Sequence, residues 1–237
     1  MFKKTAIALL AALFSGSIFA HGAWIAQQQD KYVVVYGHGA ENNAYKAEQV
    51  KRIEGYKKGE KTILVRKDHD DFVSFDLAGS ELVGVEFYNG FWTKFKDGKW
   101  EQKPRNEAKG DIELGTESAK YAVSLFDHHA KIKPLGYPLE IVPEQNPLEM
   151  SEGDSVTVKV LFNGKPLADA KVTNDYVNLG EDGYKKTDKD GKVTLTIRND
   201  GLNVFEVGHR VDHPNKDKAD KLSLSATFSF VLHEHKH

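Results

Sequence analysis

Histidine is the one metal-ligating residue type this chain carries in unusual number, ten in all, against no cysteine. The most informative is His21, in Phe19-Ala20-His21-Gly22-Ala23-Trp24. The residues before it read as a secretory signal: Lys3 and Lys4 give a positive start, Thr5 to Phe14 is mostly apolar, and small residues lead to Ala20. Cleavage after Ala20 makes His21 the first residue of the mature chain. A terminal histidine offers its α-amine and its imidazole Nδ1 to the same metal ion. The amine titrates near ~8, so a metal can displace its proton at neutral pH.

A second imidazole follows from strand pairing. Trp24 to Gln28 and Tyr32 to Tyr36 read as a hairpin about Gln29-Asp30, and the second strand is β-branched. That turn sets a register in which Gln28 faces Lys31, Trp24 faces Val35 and His21 faces His38. Opposed residues share a face, with Cβ atoms about 4.5–5.5 Å apart. His38 sits between Gly37 and Gly39, which permit close approach of backbone or ligand. His209, closing Phe205-Glu206-Val207-Gly208-His209 before a long charged loop with His213, is the third candidate. His69 in Asp68-His69-Asp70-Asp71 reads as an exposed turn. His128 and His129 divide between boundary packing and binding. His233, His235 and His237 continue the solvent face of Leu222 to Leu232 and form a tail expected to be exposed and dispensable for tight binding.

The elements around these residues read as strands. Lys61 to Arg66, Phe72 to Leu77 and Glu81 to Tyr88 (closed by an Asn89-Gly90 turn) fall in the first half, with Tyr121 to Phe126 as either a strand or a short helix. A hairpin about Lys96-Asp97-Gly98-Lys99 is expected to set Phe95 opposite Trp100. Four prolines between Pro134 and Pro147 mark a boundary between about Lys133 and Met150, with no sheet expected to cross it. Beyond it, Ser155 to Phe162, Ala170 to Asn174, Val193 to Ile197, Val204 to His209 and Leu222 to Leu232 alternate apolar and polar residues between tight turns. That pattern predicts an immunoglobulin-like β-sandwich with Val158, Val160, Val172, Leu195, Phe205 and Phe228 in its core. The expected organisation is all-β: a signal peptide over 1–20, a β domain over 21–135, and the sandwich with its His-rich tail over 136–237.

Composition narrows the chemistry. A formal net charge of −2 gives no basic field for nucleic acid. Without cysteine there are no disulfides, thiolate metal sites or cysteine nucleophiles, so any metal takes nitrogen and oxygen ligands. After the signal, no apolar run reaches membrane-spanning length. The chain lacks the His-Glu-x-x-His, Gly-x-Ser-x-Gly and phosphate-loop patterns. The aromatic group Phe87, Tyr88, Phe91, Trp92, Phe95 and Trp100 reads as core rather than as a sugar platform. The expectation is an exported, non-enzymatic protein of the bacterial periplasm.

Several segments together resemble a bacterial family, domain of unknown function 4198, some members of which are described as periplasmic components of cobalt and nickel uptake systems. They are His21 to Ala26, Val35 to Glu41, Pro138 to Pro143 with Asn146-Pro147, and Gly164-Lys165-Pro166-Leu167. Thr187-Asp188 to Gly191, Gly201 to Val204, and Ala219-Asp220 to Phe228 extend the likeness. The resemblance implies a nickel or cobalt ligand set of His21, His38 and His209, and delivery to an inner-membrane nickel/cobalt permease. Nitrogen ligation alone also suits copper or zinc. Two other readings stand beside it: a structural or adhesive envelope module, and an oxidative copper enzyme whose terminal histidine forms a histidine brace.

Overall fold

A computed structural model describes residues 21–180 and 182–232. The sequence expectations over the signal segment and over the His-rich tail lie outside them. Strands dominate. β1 (Gly22–Gln28), β2 (Lys31–Gly37), β3 (Val50–Lys57), β4 (Glu60–Thr62), β5 (Val65–Asp68), β6 (Val73–Asp76), β7 (Leu82–Phe95), β8 (Trp100–Glu101) and β9 (Ile112–Leu125) form the first half. β10 (Leu139–Pro143), β11 (Ser155–Phe162), β12 (Lys165–Pro166) and β13 (Lys171–Thr173) follow. After one helical turn, α1 (Tyr176–Leu179), come β14 (Lys185–Lys186), β15 (Lys192–Thr196), β16 (Leu202–Asp212) and β17 (Lys221–Val231).

These strands make three sheets. A central nine-stranded sheet runs β14-β13-β16-β17-β9-β7-β3-β4, with β8 on β7. A small sheet runs β1-β2-β6-β5, and a third joins β10, β11 and β12 with β15 on β11. The second half is a β-sandwich: the β10–β11–β12–β15 sheet packs on β13, β16 and β17. Val158, Val160, Val172, Leu195, Phe205 and Phe228 all lie in the shared apolar core, as expected. The other face of the central sheet, through Val83, Val85, Phe87 and Ala122, packs on Ala23, Ile25 and Val34 of the small sheet. The β1–β2 hairpin is buried on its second face too, where Trp24, Val33 and Val35 meet Tyr176 and Val204. That double burial explains the near-continuous apolar run of β2.

Four expectations are corrected. First, one sheet crosses the proline-rich segment: β17 pairs parallel with β9, from Lys221↔Thr116 to Phe230↔Leu125. The halves 21–135 and 136–237 therefore share a sheet. Such a long-range parallel pairing leaves no local signature. Second, Asn89-Gly90 is a bulge inside β7, where the register against β9 shifts between Tyr88 and Gly90. Gly90 at φ +82° supplies the left-handed residue that a bulge uses as readily as a turn. Third, Trp100 faces Lys94, not Phe95. The Phe95 amide bonds Lys99 O, and Gly98 at φ +88° adds one residue to the turn. The expected strand Lys61 to Arg66 is likewise split: β4 pairs with β3 in the central sheet, β5 with β6 in the small one, and Ile63 between them is 90% exposed.

Candidate metal centre

The β1–β2 hairpin holds the predicted register, Gln28↔Lys31 through Trp24↔Val35 to Gly22↔Gly37. One step further, the same count reaches His21 and His38 at the open end. Gln29 at φ +56° makes the two-residue turn that fixes it.

Each histidine is positioned by its neighbours. The His21 ring stacks on Tyr36 at 5.2 Å, and Tyr36 stacks on Phe87 of β7 at 4.8 Å. The Tyr36 hydroxyl donates to Asn89 Oδ1 at 3.2 Å, which fixes the middle ring of the stack. The His38 ring meets the edge of Tyr176 at 5.9 Å and lies over Gly180, where a Cβ would come within 3.2 Å of its Nε2. Tyr176 ties the two strands together: the Gly22 amide donates to its hydroxyl at 2.9 Å, and the hydroxyl donates to Gly37 O at 3.2 Å.

His38-Gly39-Ala40-Glu41 is a turn, closed by Glu41 N–H to His38 O at 3.1 Å. It folds so tightly over Gly37 that a Cβ there would meet Glu41 O at 2.2 Å, which requires glycine. The turn brings the Glu41 carboxylate to both histidines. Its Oε2 accepts the His38 amide at 3.3 Å and lies 3.7 Å from His21 Nε2. The Asn43 amide and the His38 amide hold Glu41 below the usual carboxylate range, with smaller contributions from both imidazoles. Burial holds His21 below the ordinary imidazole value; the Lys120 ammonium and His38 push the same way, against Glu41. Glu41 is the neighbour of His21 that sequence reasoning missed, although its spacing three residues after His38 was the available signal.

His209 does not join this pair. It projects from the sandwich face of β16, alongside Val207, and its ring packs on Phe162 of β11 at 4.6 Å. Burial alone lowers its pKa, with no contribution from another histidine. Alternation along β16 decides this: Glu206 and Gly208 face the other way. His69 bonds Ser74 Oγ at 2.8 Å and stacks on Phe72 at 4.0 Å, so it is held in its turn. His128 lines an apolar cavity with Ile25, Leu148 and Leu202, at the far end of the hairpin from His21. The His129 amide caps Asp127. His213 is buried, its Nε2 2.7 Å from Glu117 Oε2, and the Tyr88 hydroxyl donates to the other Glu117 oxygen at 2.8 Å.

Among the described residues, no three His, Asp or Glu side chains converge into a ready metal cage. At the open end of the hairpin the Glu41 carboxylate lies beside His21 Nε2 and accepts the His38 backbone amide, while the His38 imidazole packs on Tyr176.

The model of the family described as Domain of unknown function (DUF4198) matches residues 18–211. The chain belongs to this family. The match takes in both histidines of the hairpin and crosses the proline-rich segment, in keeping with the shared sheet. An uncharacterized protein of Haemophilus influenzae is 29% identical over 173 residues, covering 72% of this chain and 74% of that protein. No solved structure is significantly similar. Among the described residues, no helix of this family member is long and apolar enough to cross a membrane.

Proposed function

We propose that the mature chain is a periplasmic carrier of a divalent transition metal, nickel or cobalt, which it delivers to an inner-membrane permease. The metal is held by the His21 amine and Nδ1 and by the His38 imidazole, while the Glu41 carboxylate, beside His21 Nε2, orients that ring from its far side. The observation that carries this reading is the meeting of His21, His38 and Glu41 at one hairpin end, each fixed by a separate contact. Three nitrogens form a borderline donor set, suited to nickel, cobalt, copper or zinc. The choice of nickel or cobalt, and the permease, rest on the family resemblance. The amine becomes a ligand only after cleavage following Ala20, so export and metal binding are linked.

Calorimetric titration tests this with nickel on a chain beginning at His21 and on one carrying an extra glycine before it. The extension keeps the imidazole and moves the amine out of chelate position. Binding at least tenfold weaker in the extended chain, about 1.4 kcal/mol, is the expected result. Equal affinities would remove the amine from the site. Tighter binding of copper together with copper-dependent polysaccharide oxidation would turn the reading toward the oxidative enzyme.

A further inference from the structure

Beneath His21 the central sheet holds a buried cation. Lys120 projects from β9 and is 6% exposed. Burial pushes its ammonium down to about 8, and the Glu206 carboxylate acts against that shift only through space. Among the described residues the ammonium has no hydrogen-bond acceptor and no ion pair. Its charge reaches His21, whose imidazole it depresses.

The neighbours of Lys120 in register are Phe87 on β7 and Ser225 on β17, and Ser225 in turn faces Gly208 on β16. Residues in register share a face, so this row offers an ammonium, a hydroxyl and then no side chain at all. The Ser225 hydroxyl is buried and has no partner among the described residues. A buried hydroxyl without a partner, beside an ammonium, is costly to the folded chain unless one arrives. An anion with its oxygens on this row supplies one.

We propose that Lys120 and Ser225 bind a carboxylate of a small chelator, so that the metal reaches His21 and His38 as an anionic carboxylate complex rather than as a bare ion. This deepens the metal-carrier reading and rests on it. A bare dication beside Lys120 meets a like charge in a poorly screened place. A chelate carrying spare carboxylates meets a complementary one, and its coordination shell leaves positions for the two imidazoles. The specificity of the carrier then lies in a row of the central sheet as well as in the histidines.

The test uses the chain beginning at His21, unaltered and as Lys120→Met, titrated with nickel chloride, with citrate, and with equimolar nickel citrate. Nickel citrate should bind the unaltered chain at least tenfold more tightly than Lys120→Met. Bare nickel should bind Lys120→Met at least as tightly as the unaltered chain, because a like charge has gone. Ser225→Ala, which keeps the charge, should lose about threefold for nickel citrate and nothing for bare nickel. Equal binding of nickel citrate by all three chains, or citrate stripping nickel from the unaltered chain and from Lys120→Met alike, overturns the proposal. If bare nickel binds none of them, the metal reading fails separately. The anion row is then judged by citrate alone, which should raise the melting temperature of the unaltered chain and not of Lys120→Met. Inorganic phosphate protecting as well as citrate does would mark a general oxyanion site and overturn the carboxylate assignment.

Discussion

The Tyr176 hydroxyl stands 2.9 Å from the Gly22 amide nitrogen, across 154 residues of sequence, and accepts its hydrogen bond. The same hydroxyl donates to Gly37 O. One oxygen therefore closes the hairpin end from which His21 and His38 emerge. Tyr176→Phe keeps the ring contacts with Trp24 and His38 and removes both bonds. Leaving a buried amide unpaired should cost about 1–3 kcal/mol in urea denaturation. Nickel affinity should fall in the same variant; unchanged affinity would show that the histidines are set by the ring stack alone.

Gly22→Ala probes the same contact from the other side. A Cβ there would lie 2.9 Å from Tyr176 Cε1, and the ring is walled in by Trp24, Val33 and Val35. A loss of about 1–3 kcal/mol is expected from overpacking, read as a lower urea midpoint with an unchanged slope.

The histidines should separate into two classes by mutation. His38→Ala is expected to weaken nickel binding at least tenfold, about 1.4 kcal/mol, with little change in melting temperature. His213→Ala removes a buried ring bonded to Glu117 and should cost about 1–3 kcal/mol of stability with no change in nickel affinity. His209→Ala, which empties the contact with Phe162, belongs with His213. A nickel defect in His209→Ala would return it to the ligand set.

Acid should act on the histidines in a definite direction. His21 and His209 both have pKa values lowered by burial. A histidine depressed in the folded state supports stability above its unfolded value near ~6.5, and that support is lost as pH falls through the folded value. Proton release from both rings, followed by NMR in the metal-free chain, should therefore have midpoints below ~6.5. Nickel binding should likewise persist below the pH at which an ordinary imidazole site has lost half its metal. A His21 midpoint above 6.5 would mean that Glu41 outweighs burial and Lys120.

The hairpin was readable because its signals are local: a two-residue turn, an unbroken β-branched run, and a register that any one-residue slip would invert. The sandwich core of Val158, Val160 and Leu195 was readable for the same reason, since alternation names the buried face. His209 was not. Alternation showed that Glu206 and His209 point apart, but not which face of β16 looks toward the hairpin, and that depends on β17 choosing β9 as its neighbour. Lys120 was equally hidden. Nothing local in Ala119-Lys120-Tyr121 marks a buried lysine, and its burial depends on elements distant in sequence, β1 among them, that pack on β9.

The position of β17 bears on the order in which the molecule can be assembled. The last strand among the described residues is an interior strand, lying between β16 and β9 in the central sheet. It also receives the hairpin, through the Thr227 hydroxyl bonded to Ala23 O at 2.6 Å. Until residues 221–231 emerge, β9 and β16 are both open edges, and the segment that carries His21 has no completed surface to rest on. Pairings this distant in sequence form slowly. The segment that carries His21 therefore stays without its full support until residues 221–231 have taken their place between β9 and β16.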